Sequence, residues 1–394
     1  MHERRLKAMD VTAQTVFDLI KYCLYDKDTE PKFLSELNED NLMSLFNFSK
    51  AHDAAHIIGA ALKNAGRLAD SEYSEKFIKE IDLATYRYFK LNKAFTEIKS
   101  VLDREKIDYI PLKGTVLREY YPEPYLRTSS DIDIFIHTED VDRAVKAFTE
   151  TCGYKTVIIG DEHDVSLLTP DGVHLELHYR FVDNLPKAET VLNNVWNVAL
   201  RDNENSYSYS MPPEYFWLYH TVHIAKHFIT GGIGIKPIVD IYFIKNKMNP
   251  DTEKVNKLLN DAGLFVFSKE IERIFDIWFN GKKHSELSLK LHKYILLSGT
   301  YGTLSHFAVN TRIKDGSKFK TVMRRIFMPY SELKTYYPIL SKHPILTPFY
   351  QIRRWLRIIF FSRKKVQAEI GHNLRLTDEK TNEFRETLKS LELY

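Results

Sequence analysis

Cysteine is scarce: the chain has two in 394 residues, Cys23 and Cys152, far apart in sequence. That spacing excludes a disulfide framework and a paired-cysteine metal site, and it fits a reducing cytoplasm. A long apolar run is also missing. No stretch reaches about 18 apolar residues, and the basic start, MHERRLKAMDVTAQ, is followed by no apolar signal core, so neither export nor membrane spanning is expected. Charge of one sign is not in excess: 56 Lys and Arg face 53 Asp and Glu, a formal net charge of +3. The global field therefore neither demands nor excludes a nucleic-acid partner, and any partner has to be argued from local sites. Internal repeats and low-complexity tracts are absent as well. What is present, 44% apolar residues with 13% aromatic, is the composition of a globular chain long enough for two or three domains.

Hydrophobic spacing divides the chain into regions. Over residues 1–100, apolar residues recur at three- and four-residue intervals, as in VTAQTVFDLIKYCLY and AAHIIGAALKNAG, and predict a helical N-terminal region. Over 101–185 the period shortens to β-type runs, YIPLKG, DIDIFI, KTVIIG, VSLLT and VHLELHYRF, with turn signals at Gly160-Asp161 and Pro170-Asp171-Gly172. A short helix is expected in TVLREYYPEPYLR, ended by Pro122 and Pro124, and a second in TEDVDRAVKAFTETCGY with Thr138 as its cap. From 210 to 394 the helical period returns. The expected class is α+β: a compact mixed sheet with flanking helices between helical N- and C-terminal regions.

The chemistry concentrates in residues 107–180. In LRTSSDIDIFIHTED, strand alternation turns Ile132, Ile134 and Ile136 to one face and sets Asp131 and Asp133 on the other, about 7 Å apart. Two carboxylates so placed call for a cation between them, and hard oxygen donors suit Mg²⁺ or Mn²⁺. Upstream, Gly114 permits a tight strand-to-helix turn and close backbone approach, Thr115 adds a hydroxyl, and the start of the next helix offers free N–H groups to phosphate oxygens. Lys113 and Arg127 are further phosphate-binding candidates, although Arg127 could instead pair with Asp131. In VHLELHYRF, Val173, Leu175 and Leu177 face one way and His174, Glu176 and His178 the other, so Glu176 is the candidate third carboxylate and general base, with His178 beside it.

At these residues the sequence resembles a known group. YIPLKGTVLREYYPEPYLRTSSDIDIFI is similar to the signature of the nucleotidyltransferase superfamily that shares its fold with DNA polymerase beta. The arrangement LKG, YP, R and DIDIFI resembles most the uncharacterised bacterial nucleotidyltransferase family often labelled NTP_transf_5. The resemblance implies that Gly114 and Thr115 stand where the superfamily has Gly-Ser or Gly-Gly, that Asp131 and Asp133 ligate metal, and that Glu176 is the third acidic residue. It implies an Mg²⁺-dependent or Mn²⁺-dependent enzyme that moves a nucleoside monophosphate from an NTP to an acceptor hydroxyl on a small molecule, protein or RNA. Two rival functions stay open: a non-catalytic nucleotide-sensing or partner-binding protein of the same fold, and a toxin-like transferase acting on tRNA.

Three further features are weighed against packing. FWLYHTVHIAKHFITGG places His220, His223 and His227 along one helical face with Lys226 adjacent; His223, Lys226 and His227 are candidates to face a nucleotide, while the absence of HExxH argues against zinc. Asp240, within an apolar run, needs a buried partner, expected among those histidines, and His52, Asp53 and His56 read as helix surface and core edge. The basic segment YQIRRWLRIIFFSRKKVQ, with Arg353, Arg354, Arg357, Arg363, Lys364 and Lys365, reads first as a helix that buries Trp355, Ile358, Ile359 and Phe360. RNA or a membrane surface are its alternative partners.

Overall fold

The computed structural model describes residues 2–26, 30–159, 163–181, 185–300, 304–337, 339–358, 360, 371 and 377–394. Four helices come first: α1 (His2–Leu24), α2 (Glu39–Ala51), α3 (Ala55–Asn64) and α4 (Glu72–Arg104). Their starts follow capping chemistry: Asn38 accepts from the Asn41 N–H before α2, and the Ser71 hydroxyl accepts from Ser74 before α4. Next come β1 (Tyr109–Pro111), the short α5 (Lys113–Leu117), β2 (Asp131–Ile136), α6 (Val141–Lys146), β3 (Lys155–Ile159), β4 (Asp164–Leu168) and β5 (His174–His178). The sheet has the order β1-β2-β5-β4-β3, with β2 and β5 parallel and the other pairs antiparallel. This is an α+β fold with a mixed sheet.

Alternation divides the sheet's faces. Ile132, Ile134, Ile136, Leu175 and Leu177 are buried with Ile98 and Leu102 of α4 and with Phe148. The opposite face carries Asp131, Asp133 and Phe135 on β2 beside His174, Glu176 and His178 on β5, in register as Asp131 with His174, Asp133 with Glu176 and Phe135 with His178. A second core lies beyond this face. It joins the N-terminal helices to α7 (Pro186–Leu192), α8 (Pro213–Thr230), α9 (Lys236–Phe243), α10 (Thr252–Asp261), α11 (Phe265–Asn280) and α12 (Glu286–Ser298). Phe17 of α1 stacks on Trp278 of α11 at 4.3 Å, so the two ends of the helical sequence share one core.

Several details differ from the sequence reading. Thr138 does not cap a helix; its hydroxyl donates to the Tyr179 carbonyl at 3.4 Å. Helix α5 is confined to five residues and gives way to two short turns over 118–120 and 124–126. Towards the C-terminus follow α13 (Leu304–Asp315), α14 (Lys318–Ile326), α15 (Tyr330–Tyr336), α16 (Ile339–Lys342), α17 (Thr347–Arg357) and α18 (Asp378–Ser390). Phe360, expected to be buried, is exposed, whereas Trp355 and Ile358 are half-buried. The Gly160-Asp161 turn and Ile359, Arg363, Lys364 and Lys365 lie outside the described residues. Among those described, no helix is long and apolar enough to cross a membrane.

Candidate active site

The site is built on the corner after β1. The Leu112 N–H donates to the Asp133 carbonyl at 3.0 Å, so pairing with β2 persists up to the corner. The backbone then passes through Lys113 with φ at +43°, in the left-handed region that costs a residue with a Cβ about 1 kcal/mol or more. This turn lays the lysine over β2, where its Nζ donates to Asp133 Oδ1 at 2.7 Å. At Gly114 an added Cβ would lie 3.0 Å from Ser129 Cβ and 3.1 Å from its Oγ. The glycine is therefore favoured by the chain's own loop before β2, a nearer reason than the ligand approach expected from sequence. Arg118, one turn on, fastens the same contact: its Nε donates to the Gly114 carbonyl and its Nη2 to Ser129 Oγ, both at 2.8 Å. Thr115 is buried and, among the described residues, its Oγ1 has no hydrogen-bond partner, an orphaned hydroxyl at the corner.

Asp133 is 2% exposed and collects two donors on one oxygen, Lys113 Nζ and His178 Nε2, the latter at 2.9 Å. His178 Nε2 also lies 3.4 Å from Glu176 Oε2. The ligand atoms of Asp133, Glu176 and His178 all fall within 4.8 Å of one another, close enough to share one metal ion. Asp131, one alternation step earlier and half-buried, completes the acidic face but is not a member of this tightest trio. His178 lies beside Glu176 on the same face of β5.

The electrostatics follow from crowding. Burial alone would raise the Asp133 carboxyl, but the Lys113 ammonium and the His178 hydrogen bond hold it well below the usual carboxylate range. Asp131 goes the other way: burial, then repulsion from Asp133 and Glu176, pushes it up against the partial relief of Lys113. Burial works to discharge both cations, yet the carboxylates win, so Lys113 and His178 are each shifted upward. Three carboxylates thus share one lysine and one histidine.

Helix α8 lies beside the acidic face and divides the expected histidine row. His220 turns away, its Nε2 donating to the Pro237 carbonyl at 2.8 Å. His223 and His227 meet edge to face at 4.4 Å; burial together with the nearby Lys113 charge pushes the His223 imidazole down, and His227, more exposed, is pushed the same way. Lys226 is half-buried beside His227. Tyr219, missed in the sequence reading, lies near Lys113 as well: burial pushes its phenol up, and Asp133, Asp131 and Glu176 add to the shift against the pull of Lys113. Its signal was the four-residue spacing to His223. Arg118 carried a similar local signal, four residues after Gly114.

Two expectations are corrected. Arg127 pairs with Asp240 rather than Asp131: its Nε and Nη2 grip Asp240 Oδ1 and Oδ2 at 2.7 and 2.8 Å, and Nη1 donates to the Thr128 carbonyl. Asp240 in turn finds its partner in that guanidinium and in the Tyr121 hydroxyl, at 2.7 Å, rather than in a hydrogen bond with a histidine of α8. The bidentate fork satisfies a fully buried carboxylate as a single imidazole bond cannot. A second pair, Lys236 with Asp53, is joined by Lys236 to Thr128 Oγ1 at 3.0 Å, so these contacts hold the loop that leads into β2.

A family model described as an uncharacterised nucleotidyltransferase matches residues 38–280, more than half of the chain. The chain belongs to that nucleotidyltransferase family. No curated protein and no solved structure matches the chain. In this family member the matched span runs from the residue that caps α2 to the end of α11, and it contains the acidic strand, the Lys-Gly-Thr corner, the histidines of α8 and Asp240. The donor set at the site, carboxylates with one imidazole and excess negative charge, fits a hard divalent cation.

Proposed function

We propose that the protein transfers a nucleoside monophosphate from an NTP to an acceptor hydroxyl, using Mg²⁺ or Mn²⁺. The observation that carries this reading is the convergence of Asp133, Glu176 and His178, with Asp131 beside them, next to a strand-to-helix corner bearing Lys113 and an unpartnered Thr115 hydroxyl. Asp131, Asp133 and Glu176 hold the cation, with His178 orienting Asp133 and Glu176. A bound divalent ion supplies neutralisation of phosphate charge and a more acidic acceptor hydroxyl. Lys113 contributes positive charge to the phosphates, and Thr115 offers them a hydrogen bond. The acceptor oxygen forms a bond to the α-phosphorus as the bond to pyrophosphate breaks, and Glu176, 30% exposed at its side chain, takes the acceptor's proton. His223, Lys226 and His227 line the nucleotide's side of the cleft. The two separate cysteines fit a cytoplasmic setting, and the resemblance a bacterial one.

The test is incubation with each labelled NTP, Mg²⁺ or Mn²⁺ and cell extract. Label should reach an acceptor, and Glu176→Gln should cut that transfer by about 10²–10⁴ while NTP binding stays within a few-fold. Nucleotide bound without any transferred label, equally in wild type and Glu176→Gln, would favour the nucleotide-sensing alternative. That rival draws on one observation: Asp133 has both Lys113 and His178 as close partners within the protein.

A further inference from the structure

The C-terminal basic segment carries an apolar stripe, Ile345, Phe349, Ile352, Leu356 and Phe360, at intervals of four, three, four and four residues through α17 and its flanks. A helix normally buries such a stripe. This one is turned outward: the five side chains are between 50 and 89% exposed. The opposite face, with Gln351 and Arg354, is the buried one. Polar bonds to the end of α14 and the residues after it hold that orientation. Gln351 Nε2 donates to the Met328 carbonyl at 3.2 Å, and Arg354 Nη1 and Trp355 Nε1 donate to the Ile326 carbonyl at 3.3 and 2.7 Å. Phe319 and Phe327 are exposed on and beside α14.

The charge of the same segment is one-sided. Residues 318–360 contain nine Lys and Arg against a single Glu, although the whole chain is only +3, so the remainder is acidic. Arg353 and Arg357 are exposed and follow Ile352 and Leu356 directly, placing guanidinium groups along one border of the stripe.

We propose that this face lies on an anionic bilayer surface, with the stripe entering the boundary between headgroups and acyl chains and the flanking cations meeting lipid phosphates. The aliphatic members decide between partners. Isoleucine and leucine offer a nucleic acid no stacking surface, whereas single-strand binders present aromatic platforms. A second copy of the chain would bring two strongly basic faces together. The helix is too short and too charged to cross the bilayer, so the contact is peripheral.

The test is co-sedimentation of the full chain with vesicles of phosphatidylcholine alone, and of phosphatidylcholine with phosphatidylglycerol at roughly 7:3. Binding to the anionic vesicles should be at least about tenfold stronger than to neutral ones and should weaken with salt. Ile352→Glu with Leu356→Glu should reduce it more than about tenfold with an unchanged melting curve, since both side chains face solvent. Arg357→Glu should reduce the preference for anionic vesicles specifically. The proposal is overturned if anionic vesicles leave the protein in the supernatant, or if the double variant binds them as wild type does. It is equally overturned if the double variant instead abolishes binding to an RNA homopolymer or a dimer seen by sedimentation velocity, with no vesicle binding by wild type.

Discussion

At Asp240 every charge has its counterpart: Arg127 grips both carboxylate oxygens and the Tyr121 hydroxyl donates to one of them, all inside the protein. At Asp133 the balance fails, because Asp131, Asp133 and Glu176 share Lys113 and His178. Burial opposes ionisation of both aspartates, and both are held low by their cations, yet Asp131 beside Asp133 is left with a raised carboxyl. A balanced buried cluster fixes the position of chain segments, here α9 against the loop before β2. An unbalanced one stores a demand for positive charge. The difference distinguishes the two groups of carboxylates without reference to motif.

The comparison can be broken most forcefully at the balanced cluster. Arg127→Met should destabilise the protein by about 3–5 kcal/mol in urea unfolding, because Asp240 is left charged and buried, and Asp240→Leu in the same chain should recover much of that loss. An Arg127→Met protein of wild-type stability would show the pair to be incidental. Acid should probe the adjoining buried histidines. Burial lowers His52 and His56 to about 4, against about 6.5 when exposed, so at pH 5 the unfolded chain binds protons that the folded chain does not. Their contribution is present above pH 6.5 and is lost as pH falls from there towards 4, at a slope approaching about 1.4 kcal/mol per unit for each. His56→Gln, which can still donate to the Leu126 carbonyl, should flatten part of that slope in urea titrations run at successive pH values.

Smaller effects belong to the corner and the acidic face. Gly114→Ala should cost about 1–3 kcal/mol by collision with Ser129, and Ser129→Gly should restore most of it; failure of the rescue would locate the strain elsewhere. Asp131→Asn should do the reverse of Arg127→Met. By relieving repulsion it should stabilise the metal-free protein by about 0.5–1 kcal/mol, readable as a higher melting temperature without divalent ions.

The acidic face was legible in the sequence because strand alternation is a strict two-residue rule, and DIDIFI and HLELH each carry it without interruption. The same holds for Gly114, whose type announced a tight corner though not its neighbour. The ion-pair partner of Arg127 was not legible because Asp240 lies 113 residues away on α9, and no local period links them. The spacing predicted one face for the histidine row, but that face extends past the acidic strands, so His220 bonds to the Pro237 carbonyl while Tyr219 lies near Lys113. The stripe on α17 had the right period for burial and the opposite orientation, since hydrogen bonds from Gln351, Arg354 and Trp355 decide which way the helix faces.

The central claim is that the unbalanced carboxylates await a cation, and calorimetric titration of Mn²⁺ and Mg²⁺ into the purified protein tests it most directly. Glu176→Gln is the decisive comparison, because its partly exposed side chain can change without unfolding the sheet, whereas Asp133→Asn strands Lys113. The account predicts saturable binding by wild type and at least about tenfold weaker binding by Glu176→Gln, with no such loss in Ser129→Gly. Absence of binding by wild type, or equal affinity in wild type and Glu176→Gln, would contradict it.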